Sequence, residues 1–271
     1  MPTVLRPVHR ALRACLAGPL VAYDYALDPQ SVHLGLPSPA ATLIISFDEP
    51  LDLGWLHEPS VSRREWCSIS GLHLRPALVR THGLQRGIHV SLTPTGVRAL
   101  FGLPLAALVG DTVSLHDLPR GLSESEHQRL DAAPGWPARL ALLEELLLRR
   151  ITDDAPASDI RHATGLLLDG WSVTAVAAEV GWSRRHLHQR VSSETGLPPK
   201  QLNRLGRFDR ARELVQQGVS FSEAAHRAGF ADQAHFTREW SAMAGRTPKA
   251  SAEEFPNLQE VLACRTVASA P

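Results

Sequence analysis

The stretch from Ser172 to Lys249 carries one helical punctuation twice, and few folds accommodate that. Gly181-Trp182 recurs as Gly229-Phe230, 48 residues on. Leu187, Val191, Gly196, Pro199 and Lys200 recur as Phe236, Trp240, Gly245, Pro248 and Lys249, 49 residues on. Each copy runs short helix, glycine turn, second helix, glycine stop and proline, which is a repeated supersecondary unit. The change from 48 to 49 is one extra residue in the second turn. The unit reads as a helix-turn-helix, and two of them on one chain can address two neighbouring stretches of one DNA face.

The pattern predicts a helix over 159–169 with Ile160, Ala163, Leu166 and Leu167 on one face, stopped by Gly170. Ser172 is a candidate N-cap for 173–180, and Gly181 suits the turn that follows. Ser183 then caps a helix over 184–195 whose apolar positions are only Leu187 and Val191. Pro198-Pro199 ends it, and 201–217 is a long connecting helix with Leu202, Leu205, Phe208, Ala211, Leu214 and Val215 inward. On that helix Arg204, Arg207, Arg210 and Arg212 are expected on the remaining surface. The second unit follows as 221–228, the Gly229-Phe230 turn, and an Asp232-capped helix over 233–244.

A helix with a thin apolar stripe and a broad Arg, His and Gln face suits a major groove. Arg and Gln match base edges bidentately, and Arg also matches phosphate by charge. The plain alternative is a solvated amphipathic helix, and the repeat with its glycine turns favours DNA. Helix-turn-helix units read with the N-terminal part of their second helix. The candidate DNA-binding residues are therefore Arg184, Arg185, His188 and Gln189 in the first unit, and Gln233, Ala234, Thr237 and Arg238 in the second.

These segments resemble the AraC/XylS-type DNA-binding domain of bacterial transcription regulators. The resemblance rests on the strings from Val176 to Leu187, Gly196 to Lys200, Arg207 to Leu214 and Ala228 to Trp240, with Gly245, Thr247 and Pro248 closing the pattern. It implies that both recognition helices enter successive major grooves. Two departures stand out: the family usually continues past the final proline with an aromatic and an Arg, where this chain has Lys249-Ala250-Ser251-Ala252, and Val191 stands where Phe is common. A shorter last helix is expected.

The 271 residues suggest about two domains. The N-terminal half predicts short strands over 20–25, 42–47, 66–70, 72–79 and 87–92, with short helices over 94–101 and 104–108. The expected fold class is α+β: a β-rich, cupin-like or small-barrel domain with helices over 1–151, a linker over 152–158, an all-α double helix-turn-helix domain over 159–252, and a tail over 253–271. A helix over 139–150 is broadly apolar, with Leu140, Leu143, Leu147 and Ile151 widened by Leu142, Leu146 and Leu148. It either packs on the N-terminal domain or also forms a dimer interface. The strings Leu36-Pro37-Ser38, Thr42 to Phe47 and Val90 to Pro104 resemble the sensor-like domains found before this DNA-binding domain in one subgroup of the family. That implies a regulatory domain and names no ligand.

Lys and Arg number 28, as do Asp and Glu, but residues 155–252 hold 13 of the first and 9 of the second. A basic C-terminal domain fits a polyanion partner. No run of about 18 apolar residues occurs, so no membrane span is expected. Three dispersed cysteines, Cys15, Cys67 and Cys264, argue for reduced thiols and a cytoplasmic protein. His33, His57, His73, His82, His89 and His116 lack the spacing of a cupin-type metal site and are read as scattered; no metal ligand and no cofactor is expected. Trp55, Trp66 and Trp136 read as core, with an apolar pocket as the alternative, and Cys67 reads as a buried thiol.

The chain is thus expected to be a transcription regulator, an activator by resemblance, that binds double-stranded DNA and is not an enzyme. RNA polymerase, a small-molecule effector and a second copy of the chain are the further expected partners. The alternatives are a constitutive DNA binder whose N-terminal domain only oligomerises, and a DNA-linked enzyme. The last would need a four-cysteine zinc cluster, a nucleophile elbow or a phosphate-binding loop, and no such string occurs in residues 1–154.

Overall fold

The computed structural model describes residues 4–80, 82–154 and 157–252. The N-terminal part is β1 (Val4–Arg6), β2 (Leu20–Ala26), β3 (Val32–Gly35), β4 (Ala41–Ser46), β5 (Leu51–Trp55), β6 (Glu58–Glu65), β7 (Cys67–Ser70), β8 (Ala77–Arg80), β9 (Leu84–Leu92) and β10 (Thr112–Ser114). Three helices accompany them: α1 (Pro94–Phe101), α2 (Glu124–Ala132) and α3 (Gly135–Leu148). The C-terminal part is all-helical: α4 (Ser158–Leu168), α5 (Val173–Glu179), α6 (Arg184–Thr195), α7 (Pro199–Gln216), α8 (Phe221–Ala228), α9 (Gln233–Ala244) and α10 (Pro248–Ala252). The α+β organisation is as expected, and the tail over 253–271 lies outside the described residues.

Two antiparallel sheets form, in the orders β1-β2-β9-β4-β7-β10 and β3-β8-β5-β6. In the larger sheet the registers line up Ala22, Ile88, Ile45 and Cys67 across four strands. With Leu43, Ile69, Val90 and Leu92 they make one apolar face, because side chains alternate along a strand. That face packs against Val97 and Leu100 of α1 and Leu140, Leu143, Leu146 and Leu147 of α3. The same core continues into Ile160, Ala163 and Leu167 of α4, Leu187 and Val191 of α6, and Leu202 and Leu205 of α7. A second core holds the second unit: Phe208, Ala225, Phe230, Phe236, Trp240 and Met243, with Leu36 from the N-terminal half.

The structure corrects several expectations. Of the strand expected over 72–79, only residues 77–79 pair, as part of Ala77–Arg80; the segment before them contains Pro76 and runs as a loop. The helix expected over 139–150 begins at Gly135 and ends at Leu148. Leu140, Leu143, Leu146 and Leu147 are buried in the chain's own core and Leu142 and Leu148 are partly buried against it, which accords with packing on the N-terminal domain. The arginines of α7 are not a solvated face: Arg212 is buried against Asp209, and Arg204, Arg207 and Arg210 are half-buried and engaged. Pro199 opens α7 at its first turn, where a missing N–H costs nothing.

On the opposite face of the larger sheet, His89 is 2% exposed and neither ring nitrogen has a hydrogen-bond partner among the described residues. Burial pushes its pKa down to about 4. An unfolded histidine titrates near 6.5, so between those values the unfolded chain binds the extra proton and stability falls as pH falls. Acidifying from pH 7 to pH 5 is expected to cost this group alone about 2 kcal/mol. A His89→Leu chain should show a correspondingly flatter stability curve between pH 7 and pH 5 by urea denaturation. An equal slope in both chains would mean that other groups carry the pH dependence.

Candidate nucleic-acid interface

The repeat is realised down to single hydrogen bonds. Ser172 and Ser220 cap α5 and α8 by accepting from Ala175 N (3.1 Å) and Glu223 N (3.3 Å). Ser183 and Asp232 cap α6 and α9 by accepting from His186 N (3.1 Å) and His235 N (2.6 Å). Each capped donor is one of the amides a helix start leaves without a partner. The turns close identically: Trp182 N donates to Ala177 O at 2.8 Å, and Phe230 N to Ala225 O at 2.9 Å. Gly181 and Gly229 hold φ of +68° and +85°, which L-side chains rarely adopt. Beyond Gly229 there is room for a side chain, with nothing nearer than Arg207 Cδ at 3.9 Å, so only the backbone demands glycine there. Gly229→Val is therefore expected to lose about 1–3 kcal/mol through strain. Thermal melting of the variant checks this, and an unchanged Tm would contradict the turn.

The second helices differ in how they are anchored. α6 buries Leu187, Val191 and Thr195, whose hydroxyl donates to Val191 O at 2.9 Å. α9 buries Phe236, Trp240, Met243 and Ala244. Phe236 meets the rings of Phe221, Phe230 and Trp240, and Trp240 meets Phe208 of α7. Two further ties come from α7: Arg204 grips Glu239 of α9 through two hydrogen bonds of 2.8 and 3.2 Å, and the Arg207 guanidinium lies 5.4 Å from the ring of Phe230 in the turn before α9. These are the arginines that sequence reasoning left in solvent. Their role as struts has no signature in spacing, since α7 is equally basic either way.

Burial inside leaves the outer faces as follows. Arg184, Arg185, His188 and Gln189 are exposed on the first half of α6. Gln233, Ala234 and Arg238 are exposed on α9, and Thr237 is half-buried with its hydroxyl donating to Gln233 O at 2.9 Å. Among the described residues no carboxylate pairs with Arg184, Arg185 or Arg238. Each unit therefore presents uncompensated cationic and amide groups along the N-terminal part of its second helix. That arrangement can meet phosphates and base edges.

The C-terminal ends of the same two helices meet the N-terminal domain. Arg98 of α1 holds Glu194 of α6 through two hydrogen bonds, 2.7 and 3.3 Å. Gly196, which stops α6, lies against Val109; a Cβ there would stand 2.6 Å from the valine. Gly245, which stops α9, lies against Leu56, Pro76 and Leu34, with 2.5 Å to the nearest atom for an added Cβ. The N-terminal domain thus touches one end of both helices and leaves the other end of each clear.

Elsewhere the fold gathers a set of side chains that no spacing in the sequence announces. Cys67 of β7, His127 of α2 and His116, in the turn Leu115–Asp117, bring one ligand-capable atom each within 4.8 Å of one another. Cys67 is fully buried, and burial pushes its thiol up to about 12, so it is a neutral, unreactive thiol in this state.

A family model described as a helix-turn-helix domain matches residues 176–253. The transcriptional activator RhaS of Pectobacterium carotovorum is 31% identical over 120 residues, 41% of this chain and 42% of that protein. The bifunctional transcriptional activator and DNA repair enzyme Ada of Escherichia coli is 35% identical over 92 residues, 33% of this chain and 26% of that protein. The chain spans less than half the length of these curated relatives. Among solved structures, apo ToxT of Vibrio cholerae superposes with a TM-score of 0.56 over 86% of this chain and 96% of its own, at 12% identity. At that identity the likeness is one of fold, and it extends through both halves of the chain. No helix among the described residues is long and apolar enough to cross a membrane.

Proposed function

We propose that the protein is a sequence-specific regulator of transcription that reads promoter DNA with α6 and α9, as the similarity of its C-terminal domain to AraC/XylS-type helix-turn-helix domains supports. The observation that carries the reading is the double presentation of the N-terminal parts of two second helices: Arg184, Arg185, His188 and Gln189 exposed on one, and Gln233, Ala234 and Arg238 exposed beside a half-buried Thr237 on the other. Phosphate contacts supply salt-sensitive affinity, and a few base contacts supply specificity. On this reading the protein acts in the cytoplasm, with RNA polymerase as a further partner. It is, on the same reading, a binding protein, and its likeness to Ada lies in 92 residues, 33% of this chain.

Regulation enters through the contacts at the far ends of α6 and α9. A ligand that favours one placement of the N-terminal domain would bias the spacing of the two helices, and by linkage DNA would bias ligand affinity equally. ToxT, which shares the fold, has been crystallised with an unsaturated fatty acid bound. A second reading is a constitutive binder whose N-terminal domain only holds the units in place, and the small size of one void beside the larger sheet accords with it. The apolar void lined by Leu43, Ile45, Phe101, Leu115 and Leu143 measures about 10 Å³, the space of roughly one water.

The test is to titrate purified full chain onto DNA from upstream of its own gene at several salt concentrations. The expected result is an affinity whose logarithm falls linearly with that of salt, with a preference over scrambled DNA that survives at about 0.15 M. Equal affinity for both DNAs at every salt would sink the regulator reading.

A further inference from the structure

Cys67, His116 and His127 converge from three elements that share no sequence neighbourhood: an inner strand, a short turn and a separate helix. Simple packing accounts for some of this, since His127 stacks on Phe47 at 5.9 Å and meets Trp66 at 5.8 Å. Packing does not account for the hydrogen bonds. His116 Nδ1 lies 2.6 Å from Leu122 O, and His127 Nε2 lies 2.7 Å from Ser46 O. A backbone carbonyl only accepts, so each of these nitrogens carries the proton. The other nitrogen of each ring is then left as a lone pair. A ring held by a carbonyl through one nitrogen, with the second free, is how metal-binding histidines are oriented.

The frame around the rings is rigid. Ser123 and Glu126 form a capping box at the start of α2, which fixes the turn that bears His127. Arg150 holds Glu126 and donates to Gly121 O beside Leu122. Both histidines are half-buried and Trp66 is 39% exposed, so an ion has a way in. Among the described residues the group comprises these three ligands, which leaves a fourth position for water.

We propose that Cys67, His116 and His127 form a mononuclear binding site for a borderline-soft divalent transition ion, zinc. One thiolate and two imidazoles suit that class of ion, whereas calcium and magnesium require oxygen ligands. Tetrahedral bonds of about 2.0–2.3 Å put neighbouring ligand atoms roughly 3.3–3.7 Å apart. Since the three atoms already lie within 4.8 Å of one another, they need to close by no more than about 1.5 Å, a side-chain adjustment within a fixed backbone. The site stands apart from α6 and α9, so it holds whether or not the chain reads DNA.

The experiment uses tag-free full chain stripped with a chelator and titrated with Co²⁺ alone, followed by Zn²⁺. One equivalent of Co²⁺ is expected to give a thiolate-to-metal charge-transfer band and intense tetrahedral visible bands, which Zn²⁺ then bleaches. Cys67→Ser retains Cys15 and Cys264 and should lose the charge-transfer band, which assigns the thiolate. His127→Gln, whose amide can still donate to Ser46 O, should weaken Co²⁺ binding at least tenfold, since even supporting residues of such sites cost about 10–100-fold. Zn²⁺ should raise the Tm of the parent chain and of neither variant, while metal-free circular dichroism matches among all three. A band that persists in Cys67→Ser, an octahedral spectrum, or affinity unchanged in a folded His127→Gln chain would each overturn the site.

Discussion

Phe236→Ala is expected to destabilise the second helix-turn-helix unit by about 3–5 kcal/mol, the usual cost of truncating a buried aromatic to alanine. Phe236 is fully buried and its ring meets Phe221, Phe230 and Trp240. It is the residue of α9 that the rest of the small second core surrounds. That core is separate from the larger one that runs from the sheet into α7. Loss should therefore be local: amide exchange in α8 and α9 should accelerate by orders of magnitude while the strands β2, β4 and β9 keep their protection. DNA binding should fall with it, because the reading face of α9 exists only while α9 is folded. A loss under about 1 kcal/mol, or uniform deprotection of the whole chain, would mean that the second unit is not an independently packed module.

The double variant Arg184→Ala/Arg238→Ala should lower affinity for the target DNA by about 2–6 kcal/mol, from roughly thirtyfold to roughly 10⁴-fold, taking about 1–3 kcal/mol for each bidentate base contact. The two arginines sit on different units with no shared partner among the described contacts, so their effects should add. Both are exposed, so the melting temperature should not move. Fluorescence anisotropy at fixed salt measures the loss, and the singles apportion it. A double variant that binds within threefold of the parent would remove both residues from the interface.

The C-terminal half was legible because its grammar is local. Ser172, Ser183, Ser220 and Asp232 cap within three residues of themselves, and Gly181 and Gly229 carry the turn conformation in their own backbone. The N-terminal half depends on partners far along the chain. β6 reads Glu-Pro-Ser-Val-Ser-Arg-Arg-Glu and is exposed through most of its length, so no apolar alternation marks it; only pairing with β5 makes it a strand. α2 buries a single leucine, Leu130, and so shows no helical stripe. The departure noted at the chain's last helix is untested: α10 is described over Pro248–Ala252, and where it stops lies outside the described residues. The same logic separates the sites. The residues of α6 and α9 follow from position on a recognisable helix. Cys67, His116 and His127 meet only because the β7 strand, a turn and α2 pack together, and His127 lies on a helix the sequence did not announce.

The contacts of Arg98 with Glu194 and of Leu56 and Pro76 with Gly245 matter for the same reason. They hold the C-terminal ends of α6 and α9 against the N-terminal domain, which no local motif encodes. The account's central claim is that α6 and α9 read DNA together. The direct measurement is a hydroxyl-radical and methylation-protection footprint of the full chain on its target, repeated with Arg184→Ala and with Arg238→Ala. The account predicts protection of two successive major grooves on one face, about one helical turn apart, with each variant weakening one groove and sparing the other. Protection of a single groove, or both grooves fading together in either variant, would contradict it.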